Sequence, residues 1–356
     1  MEGAFDPTKR TGSNVCLPAV NNLLRVTGLL MTLNKTTAWL LDPVEPGVRA
    51  QALIHLEGRN FDAREVKNAQ EDSLLRGSIG KVLNGLVLDS GPESYDNLFL
   101  PKYLAPYHLL VALADMHAPG DDERIRNVVD RTLNVFAKPD GGFGRTESHV
   151  CTTGNVIRAA IHFGRDDDPR VQRGVEWLLE HQRSDGGWNC FPEDDPNSIV
   201  DSWEPLAALG TIPESQRSPD IRRAIECGVE FFLEQQLGVD KRYEPWRRIH
   251  FPRHYYYDFL LGLELATSLG DRNDSRLNPA IDLLLSKKSS DGRWSLDDTH
   301  PDVDPEGDRP YKPIYAEMMK NKPKNKLEVE PPGSPSRWAT LAATRILRSV
   351  GRSDPI

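Results

Sequence analysis

Three times the chain closes a polar stretch on Asp-Gly, then Gly or Arg, then an aromatic ring: Asp140-Gly141-Gly142-Phe143, Asp185-Gly186-Gly187-Trp188 and Asp291-Gly292-Arg293-Trp294. Punctuation that recurs between helical stretches marks a structural repeat, and a repeat restricts architecture more than length or composition does. Each turn follows a charged, amphipathic stretch (121–137, 169–183 and 276–288) and precedes, after a loop, an apolar one rich in small residues (152–164, 200–209 and 338–350). The first two aspartates stand 45 residues apart and the next two 106, which leaves room for one more unit. That unit has a decayed turn, Gly238-Val239-Asp240, between 219–237 and 255–269. Upstream, 48–56 and 102–116 fit the apolar slot, with 64–88 and the stretch before Pro43 as their charged partners.

A helix amphipathic at period 3.6 covers a core with one face, whereas one apolar nearly all round is buried on most sides. Six inner helices ringed by six outer ones satisfy both. The expected fold is all-α, an (α/α)6 barrel (toroid) of about six helical hairpins. Closing the ring removes the open ends that a linear solenoid must cap, so 1–356 is expected to be one domain. A charged, proline-rich insertion at 295–335 is read as a lid or a mobile excursion. The turns themselves read as staples: Gly supplies positive φ past a helix end, Asp bonds to local amides, and the aromatic packs between outer helices.

A net charge of -9 argues against a nucleic-acid partner, which needs a basic footprint. The basic run 320–326 reads as a solvated loop. No apolar run reaches the ~18 residues of a membrane span, and the N-terminus lacks the charged-then-apolar order of a secretory signal. A cytoplasmic protein, able to touch a membrane only peripherally, is expected. Cys16, Cys151, Cys190 and Cys227 are too scattered for a disulfide framework and read as reduced thiols.

Gln182-Arg183-Ser184-Asp185-Gly186-Gly187-Trp188 resembles the Gln-x-x-Asp-Gly-Gly-Trp repeat of the squalene-cyclase and prenyltransferase superfamily. Asp140 to Phe143 resembles the Gly-Gly-Phe form found in protein prenyltransferase β-subunits. The resemblance covers roughly residues 100 to 350. It implies an (α/α)6 barrel with an apolar cavity for a prenyl-lipid or other apolar substrate, and on the prenyltransferase side a zinc ion and a partner subunit. The cyclase acid Asp-x-Asp-Asp has its nearest counterpart in Asp302-Val303-Asp304-Pro305, where proline replaces the last carboxylate. Asp166-Asp167-Asp168 reads instead as the cap of a helix beginning near Pro169. For zinc, the resemblance implies ligands at an inner-helix start, here His149, Cys151 and Cys190, with His250, His254 or Asp258 as a further one. The alternative is two buried, hydrophobe-like cysteines and a surface histidine.

The starts of successive inner helices carry Tyr103 and Tyr107, then Asn155, then Asp201 and Trp203, then His254, Tyr255, Tyr257 and Asp258, then Arg337 and Trp338. Aromatic faces can stabilise a carbocation, stack a sugar or plug the pore. On a helix, His254 and Asp258 would share a face, and a carboxylate beside an imidazole raises its basicity. Asp258, His254 and Asp201 are therefore the catalytic candidates. Tyr103, Tyr107, Asn155, Trp203, Tyr255, Tyr257 and Trp338 are the substrate-contact candidates. The expected function is isoprenoid processing, cyclase-like or transferase-like. A non-catalytic scaffold is the alternative, followed by a carbohydrate-active barrel using paired carboxylates such as Asp201 and Asp258.

Overall fold

Helix starts along the chain are set by Ser, Asp and Pro. The computed structural model describes residues 35–88, 93–190, 198–239, 243–253, 256–298 and 327–352, which are helical with no strand among them. The helices are α1 (Pro46–His55), α2 (Arg64–Leu75), α3 (Gly77–Asn84), α4 (Tyr95–Phe99), α5 (Pro106–Asp115), α6 (Glu123–Phe136) and α7 (Val150–His162). There follow α8 (Pro169–Glu180), α9 (Ile199–Thr211), α10 (Pro219–Glu234), α11 (Phe259–Leu269), α12 (Asn278–Ser286) and α13 (Arg337–Ser349). Side chains of Asp122, Asp168, Ser198, Ser218, Asp258 and Ser336 accept from the first-turn amides of the helices they precede. These bonds satisfy donors that have no intrahelical partner. Asp168 thus caps α8, as the Asp166-Asp167-Asp168 reading expects.

The inner helices α5, α7, α9, α11, α13 and α1 pack in that order, with α3 bridging α1 to α5, and the ring closes on itself. Outside it lie α6, α8, α10, α12, the α2–α3 pair and the helical segment 35–40. Inner α11 and α5 are apolar nearly all round, whereas outer α6 and α8 carry one buried stripe. Among the described residues the core is one large cluster running round the ring, with a smaller one of Ala50, Leu53, Val66 and Ala69 between α1 and α2.

The three turns show why the repeat recurs. Gly141, Gly186 and Gly292 all adopt positive φ, and each turn leans on the next outer helix. Gly141 faces Arg173 of α8 and Gly186 faces the Cys227 carbonyl of α10, while the Gly292 carbonyl accepts from Thr36 Oγ1 at 3.2 Å. The last contact joins the third turn to the first outer segment and closes the outer ring. Gln182 ties its own turn to the next helix by donating to both Gly186 O (2.9 Å) and Ala224 O (2.8 Å). The aromatic of each turn is fixed by a hydroxyl on the following inner helix. Backbone N–H groups of Phe143, Trp188 and Trp294 donate to Thr153, Ser202 and Thr340 at 2.9, 2.8 and 3.0 Å. At the decayed turn, Tyr257 substitutes by donating its hydroxyl to Leu237 O at 3.0 Å.

Of the insertion, residues 299–326 lie outside the described residues, and so does the Asp302-Val303-Asp304-Pro305 string. Its two ends run side by side: Leu296 N–H donates to Ser334 O at 3.0 Å and Gly333 N–H to Leu296 O at 2.7 Å.

Candidate active site

Helices α7 and α9 meet backbone to backbone at Gly154, where a Cβ would stand 2.5 Å from the Glu204 carbonyl carbon and 2.6 Å from Pro205 N. Only glycine permits that approach. Pro205, inside α9, has no N–H to offer the Asp201 carbonyl one turn back. This crossing brings together Cys151, Asn155 and Arg158 of α7 with Asp201, Trp203 and Glu204 of α9.

At the rim, Cys151, Cys190 and Asp201 can bring one ligand atom each within 4.8 Å of the others. The two sulfurs are 3.1 Å apart. Asp201 is already engaged: it accepts from Ser198 Oγ at 2.7 Å and from Cys190 N–H at 3.4 Å. His149, the third ligand that the resemblance implies, stands outside this trio, with Nε2 3.9 Å from Glu147. Two sulfurs and a carboxylate suit zinc in kind, but two thiolates bonded at ~2.3 Å to one tetrahedral zinc stand roughly 3.8 Å apart. The observed spacing is that of a thiol donating to its neighbour, and that bond, followed by burial, holds Cys190 well above the ordinary thiol range. As placed, the two sulfurs stand closer together than two thiolates on one zinc would.

One turn deeper, Glu204 is 1% exposed and its Oε2 has no hydrogen-bond partner. Burial, reinforced by Cys151 and Asp201, raises its carboxyl well above the ordinary carboxylate range. Beside it lies Arg158, paired with Asp115 of α5. Its Nε donates to Asn155 Oδ1 at 2.7 Å and its guanidinium lies 5.0 Å from the Trp203 ring centroid. Sequence reasoning missed Glu204, Arg158 and Asp115. The available signal was three ionisable residues inside otherwise apolar inner helices, which is rare unless they are paired or used.

Paired charges also join the inner helices. Glu264 of α11 pairs with Arg253 and, at 3.6 Å, with Arg345 of α13. Burial alone would raise it, but these two guanidinium groups bring it down to about 2. His117, just past α5, keeps accessible surface, yet burial and then His162 push it down to about 3.

Tyr103, Tyr107 and Trp338 are packed against neighbouring side chains. Tyr107 packs among Phe99, Phe136 and His108 at centroid distances of 5.6, 5.0 and 5.0 Å. Tyr103 is buried near the same histidine. Trp338 donates to Ser78 Oγ at 2.8 Å and stacks on Phe251. The helix expected to carry both His254 and Asp258 begins only at Phe259, with Asp258 as its extended N-cap. Asp258 accepts from Leu261 N–H and from His250 N–H, both at 2.8 Å, and the His250 ring is the imidazole beside it, with Nδ1 at 3.5 Å. His254 and Tyr255 lie outside the described residues.

No family model matches the chain. Among curated proteins, the chloroplastic bifunctional abietadiene synthase of Abies grandis is 26% identical over 167 residues, covering 45% of this chain and 18% of that protein. The chain therefore matches less than a fifth of that relative's length. Among solved structures, the apo type II terpene cyclase MstE from Scytonema aligns at 13% identity and TM-score 0.27, over 68% of this chain and 87% of that one. A variant of the same cyclase in complex with geranylgeranyl dihydroxybenzoate aligns at 13% and 0.29, over 80% and 97%. A protein from Actinoplanes aligns at 16% and 0.30, over 69% and 89%. Superpositions that loose carry nothing about the site. No helix among the described residues is long and apolar enough to cross a membrane.

Proposed function

We propose that the chain is an isoprenoid-processing enzyme of terpene-cyclase type, in which Glu204 protonates an alkene of an apolar prenyl substrate. The observation that carries this reading is a buried carboxyl on an inner helix with one oxygen unpartnered. Burial keeps the proton on the carboxyl, where it is available for transfer, and carboxyls raised by burial recur as general acids. The proton passes from Glu204 to one alkene carbon, the π pair becomes the new C–H bond, and the cation forms on the other carbon. Arg158 faces the carboxylate left behind. Ring closure followed by loss of a proton from carbon returns the proton count, so the product is an isomer. Asp201, half-buried and one turn earlier on α9, is the route by which Glu204 is reloaded.

The partial similarity to abietadiene synthase supports the same class. The carbohydrate reading loses its carboxylate pair, since both oxygens of Asp258 accept backbone amides. The test is incubation with squalene, polyprenyl diphosphates and a lipid extract, followed by mass spectrometry. Products of unchanged mass and new retention time are expected from the wild type and not from Glu204→Gln. A gain of one prenyl unit would instead mark a transferase, and no product from any substrate would leave the scaffold reading standing.

A further inference from the structure

Five polar atoms around Arg158 lack hydrogen-bond partners: Asp115 Oδ2, Asn155 Nδ2, Arg158 Nη2, Trp203 Nε1 and Glu204 Oε2. They are carried by three successive inner helices, α5, α7 and α9. Buried polar atoms are almost always paired, and the other deeply buried indoles obey that rule. Trp188, Trp294 and Trp338 donate to Leu178 O, Leu284 O and Ser78 Oγ at 2.8, 2.7 and 2.8 Å. Trp203, 1% exposed, does not. Asn155 is equally buried and Arg158 is 7% exposed. The guanidinium is already fixed by Asp115, Asn155 and the Trp203 face. What remains is a preorganised set of three N–H donors and two oxygens without partners.

We propose that this cluster is a binding site for the hydroxyl group of an otherwise apolar molecule. Asn155, Arg158 and Trp203 each offer an unpaired N–H group, and the unpaired oxygens are those of Asp115 and Glu204. A hydroxyl oxygen accepts from two of the three and returns its own proton to Asp115 Oδ2, which a carbonyl or an ether cannot do. Charge selects against an anion. Arg158 and Asp115 neutralise one another, so a bound carboxylate or phosphate would be an uncompensated buried charge. The remainder of α7 and α9 at this depth is Val, Ile, Ala and Leu, which suits an apolar body behind the hydroxyl. The inference rests on the proposed function only for the length of that body.

The test is the indole N–H resonance of Trp203 in protein carrying 15N-tryptophan, assigned by its loss in Trp203→Phe. Titration with 1-octanol is expected to shift that resonance. Octanoate, with the same chain length and a charge, is expected to bind at least about tenfold more weakly. Asn155→Leu should weaken octanol by about tenfold while the Trp188 and Trp294 resonances stay in place and report an intact ring. Octanol that leaves the Trp203 resonance unmoved, or octanoate that binds more tightly than octanol, overturns the site whatever the product assay returns. Geranylgeraniol separates the two claims: if octanol binds and geranylgeraniol does not, the isoprenoid reading falls and the hydroxyl site stands.

Discussion

The indole N–H of Trp188 donates to the Leu178 carbonyl at 2.8 Å, and Trp294 repeats the bond on Leu284 at 2.7 Å, ten residues back in both cases. Each tryptophan is therefore held at its ring by the preceding outer helix and at its backbone by a hydroxyl of the following inner one. Ser202→Ala removes the backbone half of that clamp and leaves the Trp188 N–H buried and unpaired. Such a loss costs about 1–3 kcal/mol, and the urea midpoint should fall accordingly. An unchanged midpoint would mean that the hydroxyl is dispensable to the repeat.

Two glycines with positive φ give a controlled comparison of strain and steric contact. Gly186 sits at φ 87°, and a Cβ there would lie 2.2 Å from the Cys227 carbonyl oxygen of the next outer helix, whereas Gly58, at φ 66°, has nothing within 4 Å. Gly58→Ala should cost about 1 kcal/mol, the strain of the left-handed conformation alone. Gly186→Ala adds displacement of α10 and should cost about 3 kcal/mol or more. Equal losses in chemical denaturation would show that the turn does not bear on α10.

Much of the ring was legible because its determinants are local. Asp185 and Gly186 set a turn, Asp168 and Ser218 start helices, and the 45-residue interval between aspartates counts hairpins. The clamp hydroxyls were not legible: Thr153 lies 10 residues beyond Phe143 but Thr340 lies 46 beyond Trp294, a spacing that only the inserted loop explains. The candidate site was half legible. Cys151, Cys190 and Asp201 do converge, since successive repeats place them on one rim. His254 was paired with Asp258 on the premise of a shared helix, and the helix begins at Phe259, after both. Glu204 and Arg158 were passed over because their neighbours in sequence are apolar. Their partners, Asp115 and each other, come from different helices.

The Cys151 and Cys190 sulfurs, 3.1 Å apart, should behave as a thiol pair and not as zinc ligands. Metal analysis of reduced protein is expected to find zinc well below one equivalent per chain. Oxidised glutathione should join the two by thiol–disulfide exchange, in which the protein loses two hydrogens and the glutathione disulfide is reduced to two thiols. Because Cys190 is held well above the ordinary thiol range, the reaction should be slow at pH 7 and accelerate in alkaline buffer, since only the thiolate attacks. Peptide mapping should place the bond between these two residues and leave Cys227 alkylatable. Stoichiometric zinc lost on Cys151→Ser would reverse the assignment.

Glu204 makes a pH prediction whose sign follows from its raised carboxyl. In the unfolded chain it titrates near the ordinary glutamate value of 4.5, while in the folded chain it stays protonated to well above that. Below about pH 4 both states hold the proton, and the group has no effect on the folding equilibrium. As pH rises past 4.5 the unfolded chain ionises freely and the folded one does not, so wild-type stability falls by about 1.4 kcal/mol per pH unit until the folded group titrates. Glutamine cannot ionise, so Glu204→Gln escapes the loss. Its thermal midpoint should match the wild type near pH 4 and exceed it increasingly toward pH 7, while product formation drops by about 10² to 10⁴-fold. Asp201, Cys151 and Arg158 also act on this carboxyl and remain in the variant, so the difference between the two proteins isolates Glu204. A gap in midpoint that is the same at pH 4 and pH 7 would mean that Glu204 ionises normally, and the proposed acid would be lost with it.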